Sequence, residues 1–124
     1  GMNPVWDMTK KLWFTDGFVD AENSDYCNIR DVFVKTPIDG YLGGTSAVAD
    51  LNYLDSLHLV NLPTRIIAAG EDPVTPIEKS KEIYEKINTS ELFIINGQRH
   101  FSNVEVPDKF NKLLREGLDK MSSN

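Results

Sequence analysis

A carboxylate and an imidazole stand at matching places in this sequence. Asp72 lies just past the apolar run Arg65-Ile66-Ile67-Ala68-Ala69 and its terminating Gly70. His100 lies just past a second apolar run, Leu92-Phe93-Ile94-Ile95, and the turn pair Asn96-Gly97. If the two runs are neighbouring parallel strands, both C-terminal ends emerge on one edge of the sheet. Strands in register are about 4.8 Å apart, so residues just beyond those ends come within hydrogen-bonding reach. A carboxylate on one ring nitrogen fixes the tautomer and supports the imidazolium, which leaves the other nitrogen to act as a base. Taken singly, each residue has a plainer reading. Asp72 could be a charge favoured by the dipole at the start of the following helix, and His100 a loop histidine bonded to backbone. The matched placement after consecutive strands favours the chemical reading.

The elements that must position the pair are legible around it. Thr75-Pro76-Ile77-Glu78 has the pattern of a capping box with Pro at the first helical position. The helix it predicts runs through Ile83, Tyr84 and Ile87. Pro107 predicts the start of a last helix with Phe110, Leu113, Leu114, Leu118 and Met121 on one face. Strand, helix, strand, helix is an α/β pattern, expected to be a right-handed βαβ unit with an added helix. Both strands are apolar on both faces, as in the interior of a parallel sheet covered on two sides. Two strands alone are marginal, so the pattern implies neighbours beyond these residues.

Upstream of Leu62-Pro63 the signals are helical. Met8, Lys11, Leu12 and Phe14 suggest a short amphipathic helix ended at Gly17. Asn23 or Ser24 can cap a second, with Tyr26, Ile29, Val32 and Phe33 on its apolar face. Thr36-Pro37 opens a third, which Gly40, Gly43 and Gly44 weaken by about 1 kcal/mol each relative to Ala. Leu51, Leu54 and Leu57 suggest a further short helix. The expected organisation is a helical segment over 2–61 and a β-α-β-α portion over 62–124.

The segment from Leu62 to Pro76, with its Asp72-Pro73-Val74-Thr75-Pro76, resembles the acid-bearing strand and turn of α/β-hydrolases. The segment from Gly97 to Phe110, with His100-Phe101-Ser102-Asn103-Val104-Glu105, is similar to their catalytic-histidine loop and last helix. Together the two are particularly similar to 3-oxoadipate enol-lactonases, although related esterases and dehalogenase-like hydrolases share these features. Leu12-Trp13-Phe14-Thr15-Asp16-Gly17-Phe18 and Gly40-Tyr41 look like that subfamily's helical cap. The resemblance spans nearly the whole chain but only the later half of such an enzyme. It implies a partial α/β-hydrolase fold, Asp72 as acid and His100 as general base. Glu71 competes for the acid role, but Asp72 is the residue that directly precedes Pro73. Trp13 matches a cap position that could line a substrate pocket, and equally reads as a packed cap aromatic.

The nucleophile of that family sits in G-x-S-x-G on a sharp strand-to-helix turn, and these 124 residues contain no such motif. The nearest match, Gly44-Thr45-Ser46-Ala47-Val48, lacks the second glycine and a preceding strand, so Ser46 reads as a helix-surface serine. Cys27 has a polar helical context and reads as a structural thiol. His58 reads as a surface or packing residue, and no Cys or His spacing supports a metal; no cofactor is expected.

The totals narrow the remaining classes. Hydrophobic residues at 40% and charged residues at 26% are globular composition. A net charge of −6 disfavours nucleic acid. No apolar run nears the roughly 20 residues that span a bilayer, and no secretory signal is visible. Gly1 before Met2 reads as a remnant of tag removal. A lone Cys27 forms no intrachain disulfide and suggests a reducing cytoplasm. Two expectations follow. One is a hydrolase portion that acts on a small ester or lactone with a complementary half. The other is a non-catalytic domain that associates with itself, at least as a dimer.

Overall fold

A computed structural model describes residues 1–122. The described residues form two compact units, one of residues 1–52 and one from residue 53 onward.

The first unit is helical: α1 (Asn3–Trp13), α2 (Asp16–Ala21), α3 (Ser24–Lys35) and α4 (Ile38–Ala49). Pro4 sits in the first turn of α1, where a missing N–H costs nothing. That helix ends because Phe14 turns to extended backbone (φ −119°, ψ 152°), not because of a glycine. Gly17, expected to stop it, lies instead inside the first turn of α2, beside Asp16, whose charge suits a helix N-terminus. Asn23 caps α3 as expected, its side chain accepting from the Tyr26 N–H at 3.0 Å. Pro37 is the residue before α4 rather than its first helical residue.

The core of this unit is aromatic. Trp6 is 2% exposed, and its ring meets Tyr26 at 5.5 Å and Phe33 at 5.3 Å between centroids. Trp13 packs edge-on against both Trp6 (6.1 Å) and Phe33 (5.2 Å). Such tilted and edge-to-face pairs add about 0.5–1.5 kcal/mol each beyond area burial. By contrast α4 buries none of its residues, and Ile38, Leu42 and Val48 are all exposed.

The second unit opens with a 3-10 helix at Leu54–Leu59, shorter than the Leu51-to-Leu57 spacing suggested. It continues with β1 (Thr64–Ala69), α5 (Ile77–Lys86), β2 (Ser90–Ile95), a short α6 (Ser102–Glu105) and α7 (Pro107–Ser122). The strands are parallel, in register from Thr64 opposite Ser90 to Ala69 opposite Ile95. This is the expected β-α-β-α order, with α6 as an addition the sequence pattern did not reveal. The capping box at Thr75–Glu78 does not form. Pro76 rather than Thr75 holds the cap position, and its side chain has no group to bond a backbone N–H; the Thr75 hydroxyl bonds Asp72 instead.

Arg65 fastens α7 to the sheet. Its guanidinium donates to the Leu113 carbonyl at 2.7 Å and to Glu91 Oε2 at 2.9 Å. It also lies 4.3 Å from the centre of the Phe93 ring. Glu91 is the residue opposite Arg65 in the strand register, so ladder geometry sets the ion pair. Ala68, Ala69, Ile87 and Ile95 form the small apolar core, while Ile94, Leu114 and Leu118 are exposed.

Candidate active site

The backbone ladder does not stop with the strands. The Gly70 N–H donates to the Ile95 carbonyl at 2.9 Å, and the Glu71 N–H to the Gln98 carbonyl at 3.0 Å. Two extra rungs thereby zip the loops that follow β1 and β2. Gly70 permits this approach, since a Cβ there would stand 3.2 Å from Asn96 Oδ1 and 3.3 Å from Asn96 Cα. Gly97 turns the second loop with φ +74°, in the region that favours glycine.

The next residues outward are brought together. Asp72 Oδ2 lies 2.8 Å from His100 Nδ1 across 28 residues of sequence. Four hydrogen bonds reach this carboxylate. Oδ1 accepts the Val74 N–H at 2.8 Å and the Thr75 N–H at 3.0 Å, a local turn typical of Asp. Oδ2 accepts the Thr75 hydroxyl at 2.7 Å together with the imidazole. The Asp72 side chain is only 7% exposed and that of His100 31%. Burial pushes the Asp72 carboxyl up, but the bonds from His100, Thr75 and Val74 outweigh it and hold it below its ordinary value.

An ionised carboxylate only accepts, so Nδ1 carries the proton toward it. In the neutral ring Nε2 is then the acceptor, the form a general base needs. The pair borders a cleft of about 190 Å³ whose lining includes Ala69, Asp72, Thr75, His100, Ser102 and Asn103. Ser102, at the start of α6, is buried there.

The other residues singled out from sequence fall as follows. Glu71 is exposed and contributes its backbone to the zipped loops. Trp13 belongs to the aromatic cluster of the first unit. Ser46 is an exposed residue within α4. Cys27 is an exposed thiol that donates to the Glu22 carbonyl at 3.3 Å. His58 Nδ1 bonds the carbonyl of Asp55, three residues earlier, at 2.7 Å. Among the described residues no cluster of three or more His, Cys, Asp or Glu side chains could hold a metal. No helix among them is long and apolar enough to cross a membrane. Thr75 is the contributor that sequence reasoning assigned to the wrong task. The signal for its actual role was its place three residues after an Asp, where a hydroxyl can turn back.

No family model matches the chain. The 3-oxoadipate enol-lactonase 1 of Acinetobacter baylyi is 32% identical over 111 residues, which is 89% of this chain and 41% of that protein. The 3-oxoadipate enol-lactonase 2 of the same organism is 28% identical over 111 residues, 90% of this chain and 41% of that one. Among solved structures, the enol-lactonase from Burkholderia xenovorans LB400 superposes with a TM-score of 0.91 at 25% identity. The match covers 96% of this chain and 45% of that structure. The chain thus spans less than half the length of the proteins it matches.

Proposed function

We propose that this chain, a partial α/β-hydrolase fold whose relatives include 3-oxoadipate enol-lactonases, supplies the acid and the base of a carboxylic-ester or lactone hydrolase. The observation that carries this reading is the 2.8 Å contact of Asp72 Oδ2 with His100 Nδ1 at the end of two adjoining parallel strands. A nucleophilic serine and the oxyanion-binding N–H groups come from a polypeptide portion outside these 124 residues.

In that assembly His100 Nε2 takes the serine proton as the hydroxyl attacks the carbonyl carbon. The tetrahedral intermediate collapses, and His100 returns the proton to the departing alkoxide or enolate oxygen. Water then attacks the acyl-serine with its proton again passing to Nε2, and the carboxylic product leaves. Asp72 stays ionised throughout and stabilises the imidazolium. The enol-lactonases suggest a cyclic enol ester as substrate. No cofactor takes part. A lone thiol, which forms no intrachain disulfide, fits a reducing cytoplasm.

The test is complementation. The chain is assayed for hydrolysis of an enol-lactone and of an aryl acetate, alone and after co-expression with the serine-bearing N-terminal half of an enol-lactonase. Hydrolysis only in the assembled pair, abolished by His100→Ala, supports the proposal. A stable complex of the two halves with no hydrolysis of either substrate rejects it.

The exposed Ile38, Leu42 and Val48 of α4 and the exposed Ile94 of β2 favour a second reading, a non-catalytic domain that associates with copies of itself. Light scattering at micromolar concentration separates the two. A dimer or larger species with no gain of activity supports the second reading, and a monomer removes it.

A further inference from the structure

We propose that Thr75 is a positioning residue for the acid–base pair, its hydroxyl fixing which oxygen of Asp72 the imidazole meets. The inference rests on the catalytic reading of Asp72 and His100 given above.

The geometry is specific about the division of labour within the carboxylate. Backbone N–H groups of Val74 and Thr75 occupy Oδ1 at 2.8 Å and 3.0 Å. The Thr75 hydroxyl occupies Oδ2 at 2.7 Å, the same oxygen that takes the His100 Nδ1–H at 2.8 Å. Thr75 Oγ1 stands 3.5 Å from Nδ1, so the two donors converge on one atom from adjacent directions. The backbone bonds anchor Oδ1, and the hydroxyl adds a second attachment at Oδ2. The imidazole thus meets an acceptor held at both oxygens. The hydroxyl also draws charge from Oδ2, which favours the ionised carboxyl and tempers the pull of Asp72 on the imidazole. His100 is the titratable group that bonds this carboxylate; its other partners are the uncharged donors of Val74 and Thr75.

Thr75 does not cap the following helix, whose N-cap is Pro76 without a side-chain bond; its hydroxyl is turned to the carboxylate.

The experiment uses the whole chain and needs no turnover. Carboxyl carbon resonances of Asp72 are followed through an acid titration by NMR in the wild type, Thr75→Ser, Thr75→Val and Thr75→Ala. The hydroxyl-free variants are expected to shift the Asp72 midpoint upward, and Thr75→Ser to restore the wild-type curve. Two hydroxyl deletions of different shape keep a packing fault in one from deciding the result. Wild-type midpoints in both overturn the proposal and assign the role to the backbone donors. An upward shift that Thr75→Ser fails to rescue also overturns it, because the cause is then the side-chain shape. The readout is independent of ester hydrolysis. Failure of the complementation assay with an intact Thr75 effect therefore removes the catalytic reading, while the reverse pattern removes only this one.

Discussion

Gly117 in α7 rests directly on the stem of Arg65, so closely that a Cβ at position 117 would come 2.8 Å from Arg65 Cδ and 3.0 Å from Nε. The stem cannot simply swing aside, because its guanidinium is held by the Leu113 carbonyl and Glu91. The smallest side chain thus lets the last helix dock against the first strand.

Gly117→Ala sets two effects against each other. Ala gains about 1 kcal/mol in a helix interior, while overpacking against a fixed neighbour costs about 1–3 kcal/mol. The clash is expected to win, lowering stability by about 1 kcal/mol in urea denaturation. On an Arg65→Ala background the same substitution should stabilise. A stabilising effect in the wild-type background would show that Arg65 gives way easily.

Asp72 makes stability depend on pH with a defined sign. Its folded carboxyl titrates below its ordinary value of 3.8. The charged form is therefore the one that folding favours. Its contribution is fully present above the unfolded value and is lost as pH falls through the folded one. Asp72→Asn, which removes charge-assisted bonds worth about 1.5–3 kcal/mol each, should cost most stability near neutrality. The gap between variant and wild type should close below pH 3.8. Thermal melts between pH 7 and pH 2 check this, and a constant gap across the range would contradict it.

Turnover in the complemented assembly should separate the two members of the pair. Asp72→Asn keeps a side chain of the same shape but presents the wrong partner to Nδ1, and is expected to lower kcat on the order of 10⁴-fold. His100→Ala should lose at least as much, because the proton acceptor is gone. The double variant should be little worse than either, since groups that act as a unit are non-additive. Multiplicative losses in kcat would argue that they act separately.

Trp6 is expected to dominate the first unit. Trp6→Ala empties the centre of the aromatic cluster and should cost about 3–5 kcal/mol, seen as lost helical circular dichroism. Trp6→Phe should cost far less than that. The indole Nε1 is buried without a hydrogen-bond partner, so its removal also relieves an unsatisfied donor.

The meeting of Asp72 and His100 was legible because each follows an apolar run closed by a glycine-containing turn, and strand register does the rest. The order β-α-β-α followed from the same punctuation. Helix boundaries upstream were less legible. Gly17 is a common stop signal, yet the break came three residues earlier, where Phe14 and Thr15 adopt extended backbone and Phe14 is buried. Thr75-Pro76-Ile77-Glu78 carries a capping-box pattern, but that pattern cannot say whether its threonine is needed elsewhere. Here Pro76 takes the cap position, and the Thr75 hydroxyl turns to the carboxylate three residues upstream. The short α6 has no period to detect, and tertiary packing around Ser102 defines it.

The two rungs of main-chain bonding beyond the strands have a consequence for assembly. Asp72 and His100 are held beside each other by peptide groups within one unit, Gly70 to Ile95 and Glu71 to Gln98. The pair therefore behaves as a self-aligning cassette. Under the catalytic proposal, a polypeptide that presents a nucleophile would need to match one rim rather than two separate side chains.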